Sequence, residues 1–106
     1  MAKYLVQGVY TPKGLEGLLR EGGSSRREAV RKAIESLGGT MESFYYAFGD
    51  SDVVGVVDLP DNVTAATFSL RIASAGGATV KTTVLMTPEE VDKATKNTPD
   101  YRAPGQ

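Results

Sequence analysis

The side chains of this sequence that could do chemistry concentrate at one turn, Gly49-Asp50-Ser51-Asp52. Asp50 and Asp52 could hold a divalent cation between them or take part in acid–base catalysis. Hard cations need about six oxygen ligands, however, and this spacing supplies only two clear carboxylates. Aspartates in turns more often accept hydrogen bonds from nearby backbone N–H groups. We therefore interpret the turn as structural, expect no bound metal, and keep Asp52 as a candidate ligand-binding residue.

A second group of candidates could bind a small organic molecule. Tyr45 and Tyr46 offer apolar rings with a phenol for orientation, and they could line a cavity between sheet and helix or inside a dimer. Arg71 and Lys81 are the basic residues of the second half that lie near apolar segments, and with Tyr45 or Tyr10 they could bind a small carboxylate. The alternatives are ordinary packing of the tyrosines and solvation of the two cations on a helix face and a sheet edge.

A basic cluster in the first half of the chain is interleaved with glutamates. Its basic members are Arg20, Arg26, Arg27, Arg31 and Lys32. Glu28 with Lys32, and Arg31 with Glu35, fall at the i, i+4 spacing of helical ion pairs. This pattern predicts an exposed helix face whose charges compensate one another.

Composition excludes several classes of site. The chain has no histidine, cysteine or tryptophan, so the usual general base, thiolate nucleophiles, disulfides and common zinc or haem ligands are missing, and we expect no cofactor. The net charge of −1, from 12 basic and 13 acidic residues, favours neither nucleic acid nor an anionic membrane as partner. No signal peptide and no membrane-spanning run are recognisable, so we expect a cytoplasmic protein.

The pattern of apolar residues, caps and breakers predicts four strands and three firm helices. The strands are predicted at 3–11, 40–48, 53–59 and 79–86. A helix is predicted to start at a capping box of Ser25 and Glu28 and to end at 38–39, a second to run from the N-cap Asp61 to 76–77, and a short third from a capping box of Thr87 and Glu90 to about 96. Glycines within 12–23 predict only a weak helix or a loop there.

This β-α-β-β-α-β order with a short C-terminal helix predicts an α+β fold of the ferredoxin-like type. Right-handed crossovers place strands one and three in the centre of a four-stranded antiparallel sheet with helices on one face. The other face keeps apolar residues in either register, so a second copy is expected to stack on it as a dimeric α/β barrel. We predict one domain over 1–96 and a flexible tail over 97–106.

Several linked segments resemble the GYD-domain family. They are 27–29 with 37–42, the run Glu-Ser-Phe-Tyr-Tyr-Ala-Phe-Gly-Asp-Ser-Asp-Val-Val at 42–54, and the stretches 59–61, 79–83 and 85–90. The family is named for a Gly-x-Tyr-Asp signature; Gly49 and Asp52 fit it, and Ser51 stands at the tyrosine position. The resemblance implies a small ferredoxin-like, dimeric-barrel protein and no particular reaction.

Two functions are compatible with these observations. The first is a homo-oligomeric, non-catalytic module that binds a small apolar or aromatic molecule, or a protein partner. The second is a cofactor-independent monooxygenase or isomerase of the dimeric α/β-barrel type, with a tyrosine and Asp52 as acid–base candidates, which rests on analogy of fold.

Overall fold

A computed structural model describes residues 1–106 and contains four strands and four helices. In chain order they are β1 (Ala2–Tyr10), α1 (Pro12–Glu21), α2 (Gly23–Ser36), β2 (Thr40–Tyr46), β3 (Val53–Leu59), α3 (Asn62–Ala75), β4 (Ala78–Leu85) and α4 (Pro88–Thr95).

The four strands form one antiparallel sheet in the order β2-β3-β1-β4. The two central strands are therefore β1 and β3, as predicted, and the α+β, ferredoxin-like arrangement is confirmed. In the middle of the sheet Val6 lies opposite Gly55 of β3 and Thr82 of β4. Because side chains alternate along a strand, this register fixes which residues of β1, β3 and β4 face the helices. In β2 a register shift between Met41 and Ser43 interrupts the alternation.

The segment after β1 is a regular helix, so the prediction of a weak helix or loop there was wrong. The Thr11 hydroxyl caps α1 by accepting from the Gly14 backbone N–H at 3.1 Å, and Pro12 occupies the first turn. The Thr11 hydroxyl also donates to the Gly76 carbonyl at 2.8 Å. At Gly14 the helix lies so close to the α3–β4 turn that an added Cβ would collide with the Gly77 carbonyl oxygen. Glycine weakens the isolated helix but permits this contact.

The helix after α1 also begins earlier than predicted. It starts at Gly23, directly after Gly22, whose φ of +87° is in the region that favours glycine. No side chain caps this helix, so the predicted capping box at Ser25 was wrong; the turn at Gly22 has already placed Ser25 inside the helix. The caps predicted for α3 and α4 are confirmed: Asp61 accepts from the Thr64 N–H at 2.8 Å, and the α4 capping box is present.

The hydrophobic core lies between the sheet and helices α2 and α3. Its buried members are Tyr4, Ile34, Val57, Leu59, Ala65 and Phe68. The Tyr4 hydroxyl donates to Asn62 Oδ1 at 2.6 Å, which gives this buried phenol a partner at the start of α3.

The aromatic residues of β2 divide between the two sheet faces. Phe44 and Tyr46 share the helix side and pack edge to face, with ring centroids 5.3 Å apart. Tyr45 points to the opposite face and is 71% exposed. Phe48 was predicted to extend the strand, but β2 ends at Tyr46 and Phe48 is fully exposed in the turn.

No helix covers the second face of the sheet, which we call the open face. Its centre is apolar, with Leu5 of β1 opposite Val56 of β3. Charged side chains flank this centre: at one end the Lys3 ammonium is 3.1 Å from a carboxylate oxygen of Asp58 and 3.3 Å from one of Glu42, and towards the other end Lys81 of β4 lies opposite Gln7. The hydrogen bond to Asp58 is the main reason that the pKa of Lys3 is raised.

The C-terminal part of the chain extends away from the sheet and its helices. The molecule measures 59 × 31 × 23 Å, and its radius of gyration of 17.1 Å exceeds the roughly 13 Å typical of a compact chain of this length. α4 has no extensive contact with another element, and 97–106 contains no helix or strand. None of the helices has the length and apolar composition required to cross a bilayer.

Candidate functional site

An apolar cavity lies between the sheet and helices α2 and α3, beside the core. Its volume is about 170 Å³, and 13 of its 16 lining residues are hydrophobic. The cavity exists because the residues that meet there are small: Gly8 and Gly55 on the central strands, and Ala29 and Ala33 on α2. The space is open to solvent beside Ala29 and Ala33, which are exposed, and its concave apolar lining makes it a candidate ligand site.

Beside the cavity lies a more polar recess, which we call the vestibule. It has a volume of about 260 Å³ and is lined in part by Lys13 and Glu21 of α1. Four residues line both spaces, and Tyr10 and Arg26 are the polar ones at this junction; the other two are Ile72 and Ala78. A ligand in this site would have its apolar part in the cavity and its polar part at the junction.

The Tyr10 phenol is the neutral polar group at the junction. Burial raises its pKa to about 12; the nearby Tyr46 phenol adds to the rise and the Arg26 guanidinium opposes it. At neutral pH the phenol is therefore protonated and can donate a hydrogen bond. Such a group orients a ligand well but is a poor general base.

Arg26 is the one charged residue that lines the cavity. Its Nη1 lies 3.7 Å from Glu21 Oε2, which is an ion pair but is longer than a hydrogen bond. The pairs predicted along this helix face differ from those that form: Arg31 reaches Glu28 at 3.4 Å and Arg27 reaches Glu28 at 3.2 Å. Arg26 instead points across to α1 and the end of β1.

Asp52, the aspartate of the turn, joins two strands. Its Oδ2 accepts from the Tyr10 backbone N–H at 2.9 Å, and its own N–H donates to the Gly8 carbonyl at 2.8 Å. Its carbonyl accepts from the Ala47 N–H at 2.9 Å. The β1–β3 ladder ends at Gly8 and Val53, so the Asp52 carboxylate supplies the acceptor that the next ladder position lacks. Asp52, which fits the family signature, thus stabilises the end of the sheet beside the cavity.

The five candidate binding residues do not come together. Tyr46 lies on the helix side, where its hydroxyl donates to the Gly23 carbonyl at 3.0 Å. Tyr45 and Lys81 lie on the open face, since they are paired with Val54 and Gln7 there. Arg71 is exposed on α3. With Asp52 at the sheet end, these residues are divided among four places in the fold.

Sequence reasoning missed the importance of Arg26 at the junction and named Tyr10 only as a possible partner of more distant residues. The cavity could have been identified from the small residues that face one another from the central strands and from α2. Gly8 and Gly55 fall at inward positions of the central strands, and Ala29 and Ala33 are one helical turn apart.

Two chemical features limit what the site can do. No cluster of three or more acidic, histidine or cysteine side chains is placed to hold a metal ion. The cavity lining contains no carboxylate, so Tyr10 and Arg26 are its polar side chains. Ser51, at the signature's tyrosine position, makes no side-chain hydrogen bond.

The comparisons with known proteins agree with the resemblance. A family model described as the GYD domain matches residues 4–95, which run from β1 to the end of α4. Searches of curated proteins and of solved structures give no match.

Proposed function

The chain belongs to the GYD domain family, and we propose that it is a cytoplasmic, homo-oligomeric module that binds a small apolar or aromatic molecule between its sheet and its helices. The observation that carries this proposal is the apolar cavity of about 170 Å³, which has a polar vestibule beside it. An apolar space with a few polar groups at one end is the usual form of a small-molecule site.

The size of the cavity limits the size of the ligand that it can hold. An engineered apolar cavity of about 150 Å³ in another protein stays dry and binds benzene. The present cavity, at about 170 Å³, matches one aromatic ring with one or two further carbons. Typical drug-sized ligands occupy pockets of roughly 300 Å³ or more, so a polycyclic ligand would extend beyond this cavity.

The open face of the sheet supports self-association. Leu5, Val54 and Val56 occupy its centre and Tyr45 its edge, with no helix of the same chain above them. Stacking of two such faces about 10 Å apart would remove these apolar side chains from water. The second copy is therefore proposed to pack on the face opposite the cavity, which leaves the vestibule accessible.

The geometry favours binding over the enzymatic alternative. A cofactor-independent monooxygenase or isomerase would need a base near its substrate, and the Tyr10 phenol, with its pKa of about 12, is protonated at neutral pH. The other acid–base candidate, Asp52, is engaged by the Tyr10 backbone N–H.

The experiment is a thermal-shift screen of small aromatic probes, followed by calorimetry. A ligand at about 100 times its Kd adds roughly 2.7 kcal/mol to the free energy of unfolding, which for a chain of this size raises Tm by roughly 10–20 °C. Ala29→Phe places a ring in the cavity and should abolish the shift. The matched control is Ala66→Phe, which puts the same ring on the exposed side of α3 and should leave the shift intact.

Absence of any shift across the screen would contradict the proposal. So would a ligand whose binding Ala29→Phe leaves unchanged, since such a ligand would occupy another site.

A further inference from the structure

We infer that the ligand of this cavity is a small amphipathic acid, with an aromatic or compact aliphatic body and a carboxylate held by Arg26 at the junction with the vestibule. This inference rests on the proposed function and specifies the chemical class that the site selects.

The first argument is the position of Arg26. It is the one charged residue among the lining of an otherwise apolar cavity, and it stands where that cavity meets the polar vestibule. A guanidinium presents donors in a planar fork that matches a carboxylate in two parallel hydrogen bonds. A ligand whose ring fills the cavity would therefore place a terminal carboxylate beside this fork.

The second argument is that Arg26 is incompletely paired. Its one carboxylate partner, Glu21, is 3.7 Å away, and both side chains are more than a third exposed. Exposed ion pairs of this kind contribute little free energy. Little is lost when a ligand carboxylate replaces Glu21, whereas a shorter contact of two hydrogen bonds is gained.

The third argument is the charge balance of the surroundings. The vestibule contains two cations, Lys13 and Arg26, against the single carboxylate of Glu21. No acidic side chain lies within ion-pair distance of Lys13. The first turn of α2 contains no acidic residue, so its unpaired backbone N–H groups add positive potential near Arg26. Each of these features favours an anionic over a neutral or cationic head group.

The fourth argument is the Tyr10 phenol. It lines both spaces, and it remains protonated at neutral pH, so it is a donor rather than a competing anion. A carboxylate at the junction could thus accept from the guanidinium and from the phenol together.

The test compares phenylacetate with phenylacetamide, which has the same ring and nearly the same shape but no charge. Calorimetry on the full chain should show phenylacetate binding about tenfold more tightly, since a charge-assisted hydrogen bond is worth that factor or more. Arg26→Met keeps the apolar stem and should remove this preference while leaving phenylacetamide affinity unchanged. Arg27→Met is the matched control, because Arg27 is exposed and does not line either space; it should leave both affinities unchanged.

A second variant acts in the opposite direction. Glu21→Gln frees Arg26 from its ion pair and removes the vestibule's carboxylate, so phenylacetate should bind more tightly and phenylacetamide equally well. This gain of affinity cannot be produced by loss of folding.

The outcomes separate the two proposals. Equal affinity of the wild type for acid and amide, or an Arg26→Met variant that retains the preference for the acid, would overturn this inference and leave the cavity proposal standing. Failure of both probes, and of the wider aromatic screen, would overturn the proposed function and this inference with it.

Discussion

We expect the Asp52 carboxylate to contribute mainly to the stability of the fold, and Asp52→Ala tests this directly. The substitution removes the acceptor that lies 2.9 Å from the Tyr10 backbone N–H, a part-buried donor at the end of the central ladder. It leaves the two backbone hydrogen bonds of residue 52 intact. The whole effect should therefore come from one lost charge-assisted bond.

The expected loss follows from that single bond. Hydrogen bonds to charged groups contribute about 1.5–3 kcal/mol, so Asp52→Ala should lower the free energy of unfolding by about 2 kcal/mol. For a domain of this size that corresponds to a fall in Tm of roughly 8–16 °C. Asp52→Asn keeps an oxygen that can accept the same N–H, so it should cost about 1 kcal/mol or less.

The assay is urea unfolding followed by circular dichroism, with every variant at the same concentration because self-association would make stability concentration-dependent. Asp50→Ala is the matched control: Asp50 is an exposed carboxylate of the same turn that accepts no hydrogen bond. It should change stability by less than about 0.5 kcal/mol. If Asp52→Ala were as stable as Asp50→Ala, or if Asp52→Asn were as damaging as Asp52→Ala, the structural role assigned to this carboxylate would be refuted.

Three further predictions concern the cavity, the junction and the open face. Gly8→Ala should raise Tm by a few degrees because its added Cβ makes only ordinary contacts, the nearest at 3.7 Å, whereas Gly55→Ala should lower it because its Cβ would lie 2.9 Å from the Ser43 carbonyl oxygen. In a tyrosinate absorbance titration, Tyr10→Phe should remove the phenol whose pKa is about 12. Since this pKa is raised on folding, the stability linked to Tyr10 is present below about pH 10 and lost as the pH rises through about 12. Tyr45→Lys should weaken self-association in sedimentation experiments, while Phe48→Lys, in the exposed turn, should not.

Each of these has an outcome that would contradict it. Equal effects of the two glycine substitutions would mean that the backbone spacing around them differs from that described. If the last step of the titration curve were the same in Tyr10→Phe as in the wild type, the phenol with the raised pKa would be that of another tyrosine. A wild-type chain that sediments as a monomer at micromolar concentration would remove the basis for the open-face interface.

The candidate site was far less predictable than the fold. Arg26 resembles its basic neighbours in the sequence, and only its contacts show that it faces a cavity while Arg27 and Arg31 pair with Glu28. Tyr45 and Tyr46 are adjacent and chemically identical, yet the pleat sends them to opposite faces. A shift of one residue in the pairing of β2 would have exchanged their roles.

The sequence alone determined the class of fold, the order of the strands and of the helices other than α1, and several of their ends, because those depend on local chemistry. Asp61 and Thr87 cap the starts of α3 and α4 with their own side chains, and Gly38 and Gly76 adopt a positive φ after the ends of α2 and α3. The apolar run of β3 requires a central position. Only the tertiary structure decided where the cavity lies and which side chains meet at its mouth. Asp52 finds its donor 42 positions away in sequence. The empty volume results from small residues of separate elements facing one another, and the spacing between elements cannot be seen from any one segment.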